Sequence, residues 1–262
     1  MAYNKIKYET DEGCALITMS HAATLNAIDP PMVEEMADAF RRATREARCV
    51  VLTGEGRAFS SGANLSGDAP TTSEDGRLDV GIRLEQHYNP FITMLRDLPI
   101  PFVTAVNGAA AGIGCSFALL GDLIVAGESA YFLQAFRRIG LVPDGSATYH
   151  LPRMIGRVRA MEMMLLGERI PAATALQWGL INRCVPDADL LPTAKALALE
   201  LANGPTKTLG AIRRLSWASL DNTWSEQIQA ERLAQRDAGR TEDFKEGVQA
   251  FFQKRPANFK GT

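Results

Sequence analysis

The sequence predicts an α/β fold whose first half alternates strands and helices and whose last third is helical. Short apolar runs at residues 13–19, 49–53, 102–106 and 123–126 have the length and composition of buried strands, and helical patterns lie between them. After Asp144 the pattern is helical with little strand. The 262 residues contain no internal repeat and no linker rich in Pro, Gly or Ser, so nothing marks a second independent domain.

The first predicted helix, residues 31–47, shows how the helices are recognised. Its apolar residues recur at spacings of three and four, which places them on one face: Met32, Met36, Ala39, Phe40 and Ala43. Asp29 is the expected N-cap, and Pro30 and Pro31 suit the start of the helix. We also expect helices over residues 77–97, 111–120, 157–166, 172–178, 190–202, 206–220, 223–238 and 241–254.

The composition argues against several classes of function. The 28 Lys and Arg residues nearly balance 30 Asp and Glu residues, and a net charge of −2 lacks the basic field that nucleic-acid and membrane-surface binders need. With 46% hydrophobic residues the chain has the balance of an ordinary globular protein. Four cysteines without a CxxC spacing and three distant histidines predict neither a disulfide framework nor a metal site.

The first residues carry no apolar signal segment and no transit pattern rich in Arg and Ser. No apolar run reaches the ~20 residues of a membrane span. We therefore expect a reduced, cytoplasmic protein that does not enter a membrane.

Two glycine-containing turns, residues 59–65 and 107–115, each follow a buried apolar run. Neither matches a nucleotide-binding signature, since GxxxxGK[ST] is absent and the second turn lacks the GxGxxG spacing. One interpretation is that these glycines only form turns. The other is that small residues let a ligand approach the backbone, whose free N–H groups then bind an anion or a carbonyl oxygen.

Asp144 lies in a third segment, residues 138–146, among apolar residues and before a predicted helix start. One interpretation of this aspartate is a helix N-cap. The alternative is a functional carboxylate whose apolar surroundings raise its pKa towards the working pH, as a general base requires.

Six segments in this order resemble the crotonase superfamily, the enoyl-CoA hydratases and isomerases, and the resemblance runs from about residue 3 to residue 260. Thr24–Ala27 is similar to the early substrate loop of that family. The two glycine turns are similar to its first and second oxyanion segments. The other matching segments are AFRRIGLVPDGSATYHLPRMIG around Asp144, ALQWGLI at residues 175–181 and FFQKRP at residues 251–256.

The resemblance implies a crotonase-like spiral core of ββα units over residues 1–195 and a helical C-terminal trimerisation region over residues 196–262. It implies a homotrimer or a dimer of trimers. It also implies an acyl-CoA thioester as substrate, with coenzyme A as part of that substrate and no separate cofactor.

In this family two main-chain N–H groups hold the thioester oxygen and stabilise the enolate that forms when a proton leaves beside the carbonyl. The resemblance assigns these donors to Ala63 and Ile113. Ile113 stands where many relatives have glycine, a change that narrows the pocket but keeps the N–H group. Donors of this kind contribute roughly 3–4 kcal/mol each in comparable sites.

The resemblance also implies which residues line the substrate site. Asn26 and Ala27 would contact coenzyme A, and Lys254 would meet one of its phosphates across a subunit boundary, unless it is simply a solvated helix end. The remaining expected substrate contacts are Ala63, Asn64, Leu65, Ser66, Ile113, Gly114, Ser116 and Phe136.

The hydratases of the family hold a water molecule between two glutamates, and here those positions are Ser116 and Phe136. Adding water needs one group to activate the water and another to deliver a proton, which this pair cannot do. Asp144 remains, at a position where some isomerase and aryl-CoA dehalogenase relatives carry aspartate. We therefore expect an enoyl-CoA isomerase with Asp144 as proton shuttle. The alternatives are a hydratase, and a hydrolase or dehalogenase-like enzyme with Asp144 as nucleophile.

Two non-catalytic alternatives remain open. A relative that has lost its acids would bind acyl-CoA without proton exchange. An RNA-binding relative is known for a basic helix, and Arg41, Arg42, Arg45 and Arg48 could form one. Acidic residues interleave these arginines, however, and ion pairs on a solvated helix face explain that pattern, so we expect no nucleic-acid partner.

Overall fold

A computed structural model describes residues 3–65 and 71–262, and it confirms the predicted α/β class. The strands in these ranges are β1 Ile6–Asp11, β2 Cys14–Met19, β3 Cys49–Gly54, β4 Ala58–Ser60, β5 Phe102–Val106, β6 Ala109–Ala111, β7 Leu123–Gly127, β8 Tyr131–Leu133, β9 Ile170–Pro171 and β10 Arg183–Val185. The helices are α1 Pro30–Glu46, α2 Gly81–Arg83, α3 Asn89–Arg96, α4 Ile113–Ala118, α5 Ala147–Leu166, α6 Ala172–Trp178, α7 Leu190–Ala202, α8 Thr206–Ala218, α9 Trp224–Ala238 and α10 Glu242–Gln253.

The strands form two sheets, and successive strands along the chain often belong to different sheets. The larger sheet has the order β1-β2-β3-β5-β7-β10, and the smaller one has the order β4-β6-β8-β9. Strand β1 is antiparallel to β2 and β9 to β8, while the other neighbours are parallel. The pairs β3 and β4, β5 and β6, and β7 and β8 each place their first strand in the larger sheet and their second in the smaller. This repeated step is the spiral of ββα units that the resemblance implies.

The main hydrophobic core lies between the larger sheet on one side and helices α1 and α3 on the other. The five apolar residues predicted for the inner face of α1 are all fully buried. Phe40 of this helix meets Phe102 of β5 edge-to-face, with ring centroids 5.2 Å apart. The Asp29 side chain accepts a hydrogen bond of 3.0 Å from the Met32 N–H, so the predicted N-cap is confirmed. A second cluster forms where α7 covers the opposite face of the sheet.

Several boundaries differ from the predictions for identifiable reasons. The residues before α4 form β6, so the helix expected over 111–120 begins at Ile113. The helix expected over 157–166 is preceded by helical residues from Ala147, and the break between the two parts lies at Gly156, whose φ is 75°. The helix expected over 77–97 begins at Gly81 and contains a π-helical turn over Leu84–Tyr88. Within residues 3–65 and 71–262, no helix is both long and apolar enough to cross a membrane.

Candidate active site

The first glycine turn is anchored to the loop that follows Asn26. Ile28 and Ala63 form a parallel bridge, in which the Ile28 N–H donates to the Gly62 carbonyl at 2.8 Å and the Asn64 N–H donates to the Ile28 carbonyl at 2.7 Å. Because these two bonds flank Ala63, its own N–H points away from Ile28. Among the described residues this N–H has no acceptor, and Ala63 is exposed.

The side chain of Asn26 is hydrogen-bonded to the main chain next to this turn. Its buried side-chain amide donates to the carbonyls of Glu55 at 3.0 Å and Ala58 at 2.8 Å, and its side-chain oxygen accepts from the His21 N–H at 2.9 Å. The amide is therefore occupied by main-chain partners, and Asn26 positions the loop against β4. Ala27, expected beside it at the coenzyme A site, is also buried.

The second glycine turn leads into α4. Gly112 has φ of 52°, a conformation that favours glycine, and its N–H donates to the Leu133 carbonyl at 2.8 Å. Ile113 is the first residue of α4, so its N–H has no acceptor within the helix. No other acceptor for this N–H lies in the described parts of the chain.

The two turns touch through their main chains. A Cβ atom added to Gly62 would lie 3.0 Å from the Ala111 carbonyl oxygen, and one added to Gly112 would lie 3.8 Å from the Gly62 Cα. A Cβ added to Gly114 would come within 2.6 Å of the Ser60 side chain, which explains why a small residue stands there. Ala63 and Ile113 each directly follow one of the touching glycines 62 and 112. Their free N–H groups therefore lie in adjoining turns.

The carboxylate of Asp144 accepts no hydrogen bond from the part of the chain that the structure describes. Its Oδ1 atom is buried and has no partner among the described residues. Burial raises the pKa of Asp144 to about 6, and no charged neighbour contributes to that shift. Helix α5 begins after Ser146, and its first turn receives no hydrogen bond from the Asp144 side chain. The N-cap interpretation of Asp144 is therefore wrong.

The turn that carries Asp144 packs on the start of α4. The Ser116 hydroxyl donates to the Asp144 main-chain carbonyl at 3.0 Å. Gly145 has φ of 63°, and a Cβ added to it would lie 2.5 Å from both the Ile113 Cδ1 and the Ser116 Cβ. The ring of buried Phe136 ends 3.9 Å from a Cβ added to Gly112. The structure thus brings Asp144, Ile113, Ser116 and Phe136 together.

Other predicted contacts lie at the margin of this site. Asn64 is half-buried and Leu65 is 73% exposed. Ser66 falls outside the described residues. Lys254 is exposed in a left-handed conformation at the end of α10, and in the described parts of the chain no contact joins it to the two glycine turns. The role expected of Lys254 at a coenzyme A phosphate therefore stays a prediction.

Sequence reasoning assigned no role to His150, yet this residue lines a sizeable cavity. The cavity measures about 660 Å³ and lies between α3, α5 and α8. Ser146, which follows Asp144 by two positions, also lines it. A lone histidine within an amphipathic helix gives no sequence signal for such a position. In the described residues, no group of three or more His, Cys, Asp or Glu side chains could hold a metal ion.

Comparison with protein-family models matches the enoyl-CoA hydratase/isomerase family over residues 9–262. Among similar curated proteins, one from Rhodobacter capsulatus named "Probable enoyl-CoA hydratase" is 43% identical over 261 residues, covering 100% of both chains. The 1,2-epoxyphenylacetyl-CoA isomerase of Escherichia coli is 40% identical over 253 residues, covering 96% of both chains.

Solved structures give the same result. The enoyl-CoA hydratase from Bacillus anthracis superposes with a TM-score of 0.91 at 27% identity, covering 99% of this chain and 100% of that one. The enoyl-CoA hydratase from Polaromonas superposes with a TM-score of 0.89 at 31% identity, covering 97% of this chain and 99% of the other. With the family model, the relatives and the spiral of ββα units in agreement, the chain belongs to the enoyl-CoA hydratase/isomerase family, within the crotonase superfamily.

Proposed function

We propose that this protein is an enoyl-CoA isomerase that moves a double bond by removing and returning one proton through Asp144. The observation that carries the proposal is the isolation of this carboxylate: burial alone raises its pKa to about 6, and no neighbouring charged group contributes. A carboxyl group with this pKa is mostly ionised at pH 7, so it can accept a proton. Once protonated it is still acidic enough to return that proton, as a shuttle must.

The chemistry assigned to each group follows from its position. The thioester oxygen of a 3-enoyl-CoA accepts hydrogen bonds from the N–H groups of Ala63 and Ile113. The Asp144 carboxylate takes a proton from C2, and the electron pair moves onto the thioester oxygen to give a dienolate. The two N–H groups stabilise that negative charge. Asp144 then returns the proton at C4, and the double bond lies between C2 and C3. Coenzyme A is part of the substrate, and no separate cofactor takes part.

The residues at the two glutamate positions of the hydratases support isomerisation over hydration. The Ser116 hydroxyl donates a hydrogen bond to the main-chain carbonyl of Asp144. Phe136 is buried and apolar. Neither can activate a water molecule, so a two-acid addition of water lacks its catalysts. Phe136 also cannot donate the hydrogen bond expected from a tryptophan in a dehalogenase-like reaction.

The test uses 3-hexenoyl-CoA, whose conversion to the conjugated 2-hexenoyl thioester raises the absorbance. We expect wild type to catalyse this conversion and Asp144→Asn to lower kcat by about 10²–10⁴-fold, since that is what a positioned acid–base group contributes. Binding of coenzyme A to Asp144→Asn, measured by calorimetry, should be unchanged. Faster hydration of crotonyl-CoA than isomerisation of 3-hexenoyl-CoA would contradict the proposal. Release of free thiol would favour the hydrolase alternative.

A ring-bearing acyl-CoA is the second candidate substrate. The specific observation is that a relative 40% identical over 253 residues is named 1,2-epoxyphenylacetyl-CoA isomerase. We propose to incubate the protein with 1,2-epoxyphenylacetyl-CoA and to follow the thioester by liquid chromatography and mass spectrometry. A product with a new retention time and unchanged mass would support this substrate. Unaltered starting material, alongside active conversion of 3-hexenoyl-CoA, would restrict the protein to open-chain substrates.

We also propose a homotrimer or a dimer of trimers. Large aromatic side chains on the C-terminal helices are exposed on the single chain: Trp224 by 80%, Phe251 by 78% and Phe252 by 78%. Exposed aromatic side chains of this kind are typical of interfaces. Light scattering coupled to gel filtration should give the mass of three or six chains. A monomer would contradict the proposal and would also remove the basis for a contact between Lys254 and a neighbour's coenzyme A phosphate.

A further inference from the structure

A cavity between α3, α5 and α8, which we name the distal cavity, adjoins the turn that carries Asp144. It has a volume of about 660 Å³, and its walls include Ile92 of α3, Leu120 after α4, Ser146 and His150 near the start of α5, and Trp217 of α8. Ser146 follows Asp144 by two residues. Leu120 follows Ser116 by four residues, about one helical turn from the position that touches the Asp144 turn. The distal cavity therefore begins about one turn of helix beyond the candidate acid.

His150 lines this cavity and carries a buried polar atom. The residue is only 8% exposed, and its ring packs edge-to-face on Trp217 with centroids 4.7 Å apart. Its Nε2 atom is buried and has no hydrogen-bonding partner among the described residues. Burial lowers the pKa of His150 to about 4, and Arg153 adds to this effect, so the ring is neutral at neutral pH. Buried polar atoms are nearly always paired, which indicates that a ligand or a water molecule completes this one.

The hydrogen bonds of Ser146 decide which ring nitrogen carries the proton. The Ser146 hydroxyl oxygen lies 2.5 Å from the Gly145 carbonyl oxygen. In this contact the hydroxyl is the donor, because a carbonyl oxygen has no proton to give. The same hydroxyl oxygen lies 2.9 Å from the His150 Nδ1, and with its own proton directed at Gly145 we assign it as the acceptor of a hydrogen bond from a protonated Nδ1. In the neutral ring Nε2 is then unprotonated and is a hydrogen-bond acceptor.

We propose that the distal cavity receives the far end of the acyl group and that His150 selects acyl chains that carry a hydroxyl there, through a hydrogen bond from that hydroxyl to Nε2. This inference rests on the proposed function, because it takes the thioester to lie between Ala63, Ile113 and Asp144. The apolar walls accept the hydrocarbon part of the chain. Of the charged residues that line the cavity, Arg96 pairs with Asp97, Asp221 accepts a hydrogen bond from Tyr149, and Arg214 is a cation that can only donate, so it does not offer the acceptor that His150 Nε2 provides.

The test compares saturated acyl-CoAs with their ω-hydroxy counterparts at chain lengths of six, eight and ten carbons, with dissociation constants from calorimetry. A purely apolar cavity would bind the hydroxylated chain more weakly at every length, because the hydroxyl loses its hydrogen bonds to water. We expect wild type to bind the hydroxylated chain about tenfold more tightly at one of the lengths, which corresponds to about 1.4 kcal/mol. His150→Phe keeps an aromatic ring against Trp217 but should reverse this preference.

Thr93→Val is the matched control, since Thr93 is another polar residue that lines the distal cavity. It should retain the preference for the hydroxylated chain, and loss of the preference in this variant would assign the role to Thr93 and overturn the proposal. Weaker binding of the hydroxylated chain to wild type at all three lengths would overturn it as well.

Nitrogen-15 NMR of wild type gives a readout that needs no variant. We expect the Nε2 of His150 to be unprotonated at pH 7 and its resonance to shift when the hydroxylated chain binds, but not when the saturated chain of equal length binds. A protonated Nε2 would contradict the proposal. Saturated chains cannot isomerise, so these results are independent of whether the protein converts 3-hexenoyl-CoA, and the two proposals can fail separately.

Discussion

The Ser116 hydroxyl donates a hydrogen bond of 3.0 Å to the main-chain carbonyl of Asp144. Ser116 lies on α4, and the first residue of that helix, Ile113, carries one of the two free N–H groups. The bond therefore ties the turn of the candidate acid to the helix of the candidate donor. A position that holds a glutamate in the hydratases here holds a residue that positions another carboxylate.

Replacing Ser116 by alanine removes this tie. We expect Ser116→Ala to lower kcat by about 3–10-fold, because a hydrogen bond of this kind contributes about 0.5–1.5 kcal/mol and its loss lets the Asp144 turn move. The KM and the pH of the kinetic inflection should stay the same. Thr104→Val is the control, since the Thr104 hydroxyl makes a similar bond of 2.8 Å to the Ala118 carbonyl at the other end of α4. An equal loss of kcat in both variants would show a general effect on α4.

Gly145 keeps Asp144 close to α4. In Gly145→Ala the new Cβ would lie 2.5 Å from the side chains of Ile113 and Ser116, so the turn must move away from the helix. We expect kcat to fall and the free energy of unfolding to decrease by about 2–4 kcal/mol, combining backbone strain with overpacking. Gly140→Ala is the control, because Gly140 also has positive φ, at 73°, but nothing lies within 4 Å of its added Cβ. It should lose about 1 kcal/mol in urea unfolding and keep its kcat.

The N–H group of Ile113 can be removed with little disturbance of α4. Proline is tolerated at the first position of a helix, and Ile113 occupies that position. We expect Ile113→Pro to lower kcat for 3-hexenoyl-CoA by about 10²–10³-fold, as loss of a donor to an oxyanion does. Ile113→Val keeps the N–H and should keep kcat within about threefold. Equal activity of the two variants would show that this N–H does not bind the thioester oxygen.

The pKa of Asp144, raised by burial to about 6, sets two pH dependences. The value of kcat/KM should fall below about pH 6 as the base becomes protonated, and Asp144→Asn should lack this inflection. Because the folded pKa lies above the unfolded value, the contribution of Asp144 to stability is present below about pH 4 and is lost as the pH rises through 6. Asp144→Asn should therefore be more stable than wild type at pH 8, by about 1–3 kcal/mol, and similar to it at pH 4. Thermal unfolding across this range measures the difference, and equal stabilities at pH 8 would contradict the burial of this carboxylate.

Elements with a clear period were predictable from the sequence. Helices α1, α6 and α7 and strand β5 agree with their predicted ranges within one residue. Strand β1 was not predicted, because it is an edge strand whose residues are mostly exposed, so its sequence lacks an apolar run. Strands β4, β6 and β8 have three residues each, too few to show a period. Their pairing in a second sheet depends on contacts between distant parts of the chain.

The candidate site also has features that the sequence predicts and features that it does not. Motif resemblance selected Ala63, Ile113 and Asp144, and the absence of glutamate at positions 116 and 136 is a property of the sequence alone. The contacts that these residues make cannot be predicted from the sequence alone. A left-handed Ser146 turns its hydroxyl towards His150, and the distal cavity forms between three helices that are far apart in the chain. No local pattern contains that information.

The sequence by itself determined the family of this protein, the order of its main helices and strands, and the lack of a second acid, because each depends on residue types at fixed spacings. Only the tertiary structure decided that Asp144 is not a helix cap, that its Oδ1 atom is buried without a hydrogen-bonding partner in residues 3–65 and 71–262, and that Ser116 holds its turn. The physical reason is that a pKa depends on how much water and charge surround a group. Those surroundings come from segments that the fold brings together.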